Sequence, residues 1–398
     1  MESPLSMTTF YLDGRPLEAL SSEPQPSDRA PSDTVPSNSA SSEQASSPAH
    51  GGETLHRALL RLGVAHNYSC TKGVCRCCLV KLTTGVPTAR AQKGLEDELK
   101  ADGWVFGCQS VIKPGMRFET TDDGFCEAVL VARRSLSPEV YELVFAIPPA
   151  LMESSAGEPK VRSPEADAAK PVFAPLSPFI AGQCVSLLGG EGFGRTYGIA
   201  DVSFPAADTR YHISLHVRRK RNGSFSQWLC DALEIGAPLK LSRPWGRSHY
   251  LPDFQNDELI FVAFGSGIGP AAAVVREALN CGHQKPISLY HADRYPSDLY
   301  QHKALLKLML EKRQFFYQGL IAAETERERI DHHRVQLADV ETQLKARHTL
   351  GRGSRLFLFG DADKVAQITE YAFLNALEMD RIHAQSFEYR DLRRRPRR

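Results

Sequence analysis

Cys70-Thr71-Lys72-Gly73-Val74-Cys75-Arg76-Cys77-Cys78 decides the reading of this chain, together with Cys108 in the downstream run WVFGCQS. Thiolates at the spacing Cys-x4-Cys-x2-Cys, closed by a remote fourth cysteine, suit a [2Fe–2S] cluster. A short loop wraps one side of such a cluster and the distant ligand closes the other. Gly73 stands inside the loop, where the backbone has to turn tightly. A zinc site more usually shows two Cys-x2-Cys pairs, and only one is present. The nine cysteines are an odd number and mostly clustered, which points to ligation more than to disulfides. The expected metal ligands are therefore Cys70, Cys75, Cys78 and Cys108. Cys77 is left as a spare thiol, either inert or a weak point for oxidation.

Upstream, TTFY and PLEAL flank Asp13-Gly14, a strong two-residue turn signal, so an opening hairpin is expected. From Ser21 to Gly52 the composition falls to mostly Ser, Pro, Ala, Asn, Gln and acids, with Val35 the only sizeable apolar residue. Such a segment cannot offset its ordering entropy and reads as a disordered insertion, tolerated as a surface loop. Thr54 then caps a short helix, LHRALLRL, whose Leu55, Leu59 and Leu62 share one face before Gly63 stops it.

At 398 residues the chain has room for two or three domains. A formal net charge of +1 gives no pointer to nucleic acid or to a membrane surface. No run approaches the roughly 20 apolar residues that span a bilayer. MESPLSMTTFYLDG lacks a basic region followed by an apolar one, so a secretory signal is not expected and a cytoplasmic setting fits.

Downstream of Phe125 short strand-like runs alternate with turns: EAVLVARR, VYELVFAI, QCVSLL, RTYGIADV and YHISLHVRR. With one helix, SQWLCDAL, they suggest an antiparallel barrel, interrupted by a low-complexity loop insertion at 153–171. After Asp257 apolar runs (LIFVAF, ISLYHA, FFYQGLI, RLFLFG) alternate with helical segments (AAAVVREALN, DLYQHKALLKLMLEK, VAQITEYAFLNALEM). That alternation predicts a parallel sheet wrapped by helices. His332-His333, in a polar stretch, is expected to face water, and the tail RDLRRRPRR to be solvated or to dock an acidic partner.

Residues 8–20 with 53–118, including TLHRALLRLGVAHNYSCTKGVCRCCLVKL, resemble a plant-type ferredoxin domain, of β-grasp fold, interrupted by the Ser/Pro-rich insertion. Arg76-Cys77 stands where that family usually has a small residue, and the cation is expected to alter cluster potential or docking.

Two further segments carry chemistry. Arg195-Thr196-Tyr197-Gly198 follows a candidate strand, and Gly223-Ser224-Phe225-Ser226 opens a helix. An arginine neutralises a pyrophosphate, a tyrosine stacks on a flavin ring, and a Gly-x-x-Ser turn offers N–H groups to phosphate oxygens. Singly, each motif has a plain structural alternative, since a helix-capping serine commonly does no more than cap. In this order, with ISLHVRR (carrying His216 and Arg218), RPWG at Arg243 to Gly246 and FIAGQCVSL, they resemble the flavin barrel of the ferredoxin–NADP reductase superfamily. LIFVAFGSGIGPAAAVV then runs from a buried strand through Gly265, Gly267, Ile268, Gly269 and Pro270 into a helix, similar to that superfamily's nicotinamide-binding loop. The resemblance also implies nucleotide contacts from Arg294 and an aromatic, Phe387, near the flavin. Two positions depart from it. The serine expected after the tyrosine is Gly198, and the expected Cys-Gly-Pro is Phe359-Gly360-Asp361. Tyr197, Gly198 and Phe359 thus mark the expected hydride-transfer site.

The expected architecture is multidomain, α+β and α/β. It comprises a ferredoxin domain at 1–120 (insertion 21–52), a flavin barrel at 125–252 and a nicotinamide domain at 257–398. By resemblance to the reductase components of multicomponent bacterial oxygenases, NAD(P)H passes hydride to FAD. Single electrons then leave through the [2Fe–2S] cluster to a protein acceptor such as an oxygenase component. Domain order in that family favours FAD over FMN; Asp293 would disfavour a 2′-phosphate and the adjacent Arg294 would favour it, so NADH is preferred and NADPH stays open. The departures at 198 and 359 leave two alternatives: a redox-responsive binding protein with impaired hydride transfer, or a donor to a partner other than an oxygenase.

Overall fold

A computed structural model describes residues 7–20, 52–120, 125–147, 179–189, 193–205, 210–321 and 335–387, the side chains of 335–337 excepted. The insertion from Ser21 (all but its last residue), the loop at 153–171, His332-His333 and the basic tail lie outside these residues. The chain divides into two units, Met1–Gly124 with Glu191–Phe193 and Phe125–Gly190 with Gly194–Arg398. The second unit holds both the barrel and the parallel sheet, which the sequence treats as separate domains.

The first unit contains β1 (Met7–Leu12), β2 (Arg15–Leu20), α1 (Leu55–Arg61), β3 (Leu79–Thr84), α2 (Asp97–Ala101), β4 (Trp104–Phe106) and β5 (Arg117–Glu119). Its sheet has the order β2-β1-β5-β3-β4, with β1 parallel to β5 and the other pairs antiparallel. This is the β-grasp arrangement expected of a ferredoxin domain. Asp13 and Gly14 both take positive φ, +49° and +77°, as the tight hairpin requires. The Thr54 hydroxyl accepts from the Arg57 amide at 3.5 Å and caps α1. Leu55, Ala58 and Leu59 enter the core with Phe10, Val105 and Phe118. Leu62, expected on the same face, is 37% exposed, because the helix has ended before it.

In the second unit β6 (Phe125–Ser135), β7 (Val140–Ile147), β8 (Cys184–Leu188), β9 (Gly194–Ser203), β10 (Tyr211–Arg218) and β11 (Pro238–Ser242) close an antiparallel barrel in the order β10-β7-β6-β11-β8-β9. The short helix α3 (Ser224–Gln227) lies between β10 and β11. There follow β12 (Glu258–Phe264), α4 (Ile268–Asn280), β13 (Ile287–Asp293), α5 (His302–Glu311), β14 (Phe315–Ile321), β15 (Val335–Leu337), α6 (Val340–Arg347), β16 (Ser354–Asp361), α7 (Ala362–Leu374) and β17 (Ile382–Phe387). The six strands form one parallel sheet, β15-β14-β13-β12-β16-β17.

Alternate residues of β12 feed opposite faces of that sheet. Leu259, Phe261 and Ala263 join one core with α4 and α5, while Ile260, Val262 and Phe264 join the other with α6 and α7. Strand order reverses at β12, whose neighbours are β13 on one side and β16 on the other. The carboxyl ends at such a switch point leave a crevice for ligands.

Phe357 stacks on Phe261 at 4.6 Å between ring centroids and on His383 at 4.5 Å, both nearly parallel. Phe357→Ala leaves a cavity at the middle of the sheet. It should cost about 3–5 kcal/mol by chemical denaturation, and a loss under about 1 kcal/mol would contradict the packing described.

Candidate functional site: a four-cysteine loop and a shared cavity

The loop from Cys70 to Cys78 is set by backbone geometry. Thr71, Gly73 and Arg76 all take positive φ (+56°, +74° and +58°), which coils the chain and turns its amides inward. A side chain on Gly73 would stand 2.8 Å from Cγ of Gln109, so the loop packs directly against the residue after Cys108. Cys70, Cys75, Cys78 and Cys108 are all buried.

The Cys75 thiol lies beside those of Cys70 and Cys77, and the Cys78 thiol beside that of Cys108. The Cys70 thiol is pushed well up by its bond to Cys75 and by burial, and Cys78 by its bond to Cys108 and by burial. Amides of Cys70 and Lys72 point at Sγ of Cys75 and Cys70 at 3.4 and 3.3 Å, and Nε2 of Gln109 lies 3.6 Å from Sγ of Cys108. Among the described residues no three His, Cys, Asp or Glu side chains gather as a site for one metal ion. Four buried cysteine thiols on one loop and one distant residue suit a two-iron cluster, with two sulfurs to each iron.

Arg76 is buried, and its guanidinium reaches both carboxylate oxygens of Glu96 at 2.7 Å. The cation singled out in the sequence is therefore neutralised locally. Cys77 is 0% exposed and hydrogen-bonds Cys75. Beside Cys78 a cavity of about 210 Å³ also takes in a pair the sequence did not suggest, His56 and His66, whose Nδ1 and Nε2 lie 2.7 Å apart. Burial pushes His56 down to about 4, so it is neutral at pH 7.

In the second unit a cavity of about 690 Å³ gathers thirteen of the residues picked from the sequence: Arg195, Thr196, Tyr197, Gly198, His216, Arg218, Gly223, Ser224, Phe225, Ser226, Pro270, Arg294 and Phe387. β9 and β10 supply one wall, the turn into α3 a second, and the start of α4 a third. The Ser226 hydroxyl holds the turn, accepting from the Lys220 amide and donating to the Gly223 carbonyl, each at 3.1 Å. Nδ1 of His216 lies 3.0 Å from the Tyr300 hydroxyl, and burial pushes this histidine down to about 4. Burial also raises the Tyr197 phenol. Arg218 pairs with Asp293 at 2.6 Å, and the same carboxylate accepts from the Arg294 amide at 2.8 Å.

Seven picked residues do not line the cavity. Gly265, Gly267, Ile268 and Gly269 form the floor of the loop and the first turn of α4. A Cβ on Gly269 would meet Nδ1 of His216 at 2.5 Å, and one on Gly267 the Phe359 carbonyl at the same distance. These glycines let α4 approach β10 and β16. Phe359, expected at the hydride-transfer site, has its ring fully buried in the sheet core. Gly360 and Asp361 close β16, and the Asp361 carboxylate caps α7 through the Lys364 amide at 3.2 Å. The cavity also takes in Ser266, inside the glycine-rich run, and Glu139, Lys220, Arg221, Tyr295 and Asp298, which the motifs did not include. Only their adjacency to the picked segments could have suggested them.

Arg195, Arg218, Lys220, Arg221 and Arg294 give the cavity a strongly cationic lining, and Tyr197 with Phe387 adds flat aromatic surface. That donor set fits a flavin with its diphosphate and a nicotinamide nucleotide.

The 2Fe-2S iron-sulfur cluster binding domain matches residues 40–113. The reductase component of a naphthalene 1,2-dioxygenase system from Pseudomonas putida is 26% identical over 277 residues, 69% of this chain and 76% of that protein. The reductase subunit of an Amycolatopsis aromatic O-demethylase is 29% identical over 255 residues, 63% of this chain and 70% of that one. Among solved structures, an Amycolatopsis cytochrome P450 reductase superposes with a TM-score of 0.55 at 20% identity, covering 96% of this chain and 98% of its own. A ferredoxin reductase of carbazole 1,9a-dioxygenase gives 0.54 at 17% identity, covering 97% and 100%. These two share the fold.

Cys75→Ser should lose the cluster's visible absorption, while Cys77→Ser should keep it. Equal iron content in the two purified variants would remove the distinction drawn between these neighbours.

Proposed function

We propose, from the premise that the chain belongs to the ferredoxin–NADP reductase superfamily and carries an N-terminal plant-type [2Fe–2S] domain, that it is an NAD(P)H-dependent reductase delivering single electrons to an oxygenase component. The observation that carries this reading is that one cavity of the second unit is walled both by the barrel segments at Arg195–Gly198 and Gly223–Ser226 and by Ser266 and Pro270 at the start of α4. Hydride transfer needs donor and acceptor rings in contact, and a shared cavity allows it. A bound flavin takes a hydride and gives up electrons one at a time, and a [2Fe–2S] cluster carries them singly.

The residues divide the remaining work. Arg195 neutralises diphosphate, and the amides of the turn at Gly223–Ser226 bond its oxygens. Tyr197 and Phe387 flank the ring system. Neutral His216, held by Tyr300, supplies polarity in the wall without adding charge. Cys70, Cys75, Cys78 and Cys108 hold the cluster, and the amides aimed at their sulfurs tune its potential. The domains run 1–120, 125–252 and 257–398. Asp293, at the carboxyl end of β13, favours NADH, since a carboxylate there repels a 2′-phosphate. No described helix is long and apolar enough to cross a membrane, and the reading places the protein in the cytoplasm with its oxygenase partner.

Anaerobic titration with NADH, and separately with NADPH, should bleach flavin and cluster bands together, with NADH effective at the lower concentration. Flavin and cluster bands that neither nucleotide bleaches would overturn the reductase reading. Arg195→Ala should weaken FAD retention about tenfold, measured by flavin release on gel filtration, as loss of a charge-assisted bond of about 1.5 kcal/mol predicts.

A further inference from the structure

The last strand places one polar side chain where the barrel has none. Along β17, His383 and Gln385 are buried, while Ala384 between them and Ser386 after them are exposed. Gln385 is 8% exposed, and its Nε2 lies 2.8 Å from Sγ of Cys184 in β8. Its Oε1 is buried with no hydrogen-bond partner among the described residues. Cys184 is paired with Gly198 across β8 and β9. A Cβ on Gly198 would stand 2.7 Å from Nε2 of Gln385 and 2.8 Å from Cγ of Pro270. The amide head therefore lies against the one residue of the Arg195–Gly198 segment that has no side chain. Gly198, Pro270 and Phe387, the last being two residues beyond Gln385, all line the cavity.

A buried acceptor without a partner is costly. The terminal torsion of a glutamine is broad and roughly two-fold, so a half-turn about it exchanges the carbonyl and amino positions beside the glycine. We propose that the Gln385 amide is the side-chain hydrogen-bond partner of the polar edge of the flavin ring at Gly198, in the space that the missing side chain leaves. This rests on the flavin reading of the cavity. The central ring nitrogen of an oxidised flavin accepts a hydrogen bond, and the reduced ring presents an N–H there. An amide answers both, offering NH₂ to the first and C=O to the second, with no change in its own protonation. The contact thus follows the ring through its redox cycle at constant side-chain charge.

The test is FAD binding and the flavin midpoint potential of the full chain, compared for the parent, Gln385→Leu and Gln385→Glu. Gln385→Leu keeps the volume and should weaken FAD binding about fivefold, the loss of a hydrogen bond of about 1 kcal/mol. It should also displace the flavin potential while leaving the cluster spectrum unchanged. Gln385→Glu offers both donor and acceptor only while protonated. Its FAD affinity should approach the parent's at low pH and fall as pH rises, a profile that a purely structural glutamine would not produce. Parent-like affinity and potential in both variants overturn this inference alone. A parent that binds no FAD overturns the flavin reading and this inference with it.

Discussion

How closely the start of α4 can approach the strands around it governs the second unit. Gly267 lies against the Phe359 carbonyl and Gly269 against the His216 ring, at distances that leave no room for a Cβ on either. With those two positions bare, the helix N-terminus seats between β16 and β10, and barrel and sheet share one cavity. Any side chain at either position would separate the walls that bring the two ring systems together. The glycines therefore serve packing at least as directly as they serve phosphate approach.

The ferredoxin unit meets a different constraint with similar means. Four sulfurs must converge from a nine-residue loop and one distant residue, and the loop does so through three positive-φ residues, only one of them glycine. Non-glycine residues in that region store strain. Thr71 and Arg76 hold it beside Cys70 and Cys75, and the ion pair with Glu96 anchors Arg76. The cation that the sequence places beside the cluster acts in the structure as a strut.

Much of this was legible because the chemistry is written locally. Cysteine spacing, Arg-x-Tyr and the Gly-x-x-Ser turn each lie within a few residues, and the apolar strands of the parallel sheet announce themselves as continuous runs. Weakly patterned elements escaped. α6 and β17 carry few apolar residues, since an edge strand and a surface helix bury only part of their area. Phe359 shows a second limit, because its place in a motif suggested the reacting centre while strand alternation turns its ring into the core. Gln385 shows a third. It is invisible to any local pattern, because what makes it notable is a glycine far back in the chain.

The pairing of Arg218 with Asp293 gives the nucleotide pocket an internal competitor. A ribose that draws on that carboxylate must better what the guanidinium already supplies, a charge-assisted bond of about 1.5–3 kcal/mol. Donor preference at this position is then a contest between ligand and protein for one anion. Weakening the protein's side of that contest would free the carboxylate for such a ribose while taking a cation out of the cavity wall.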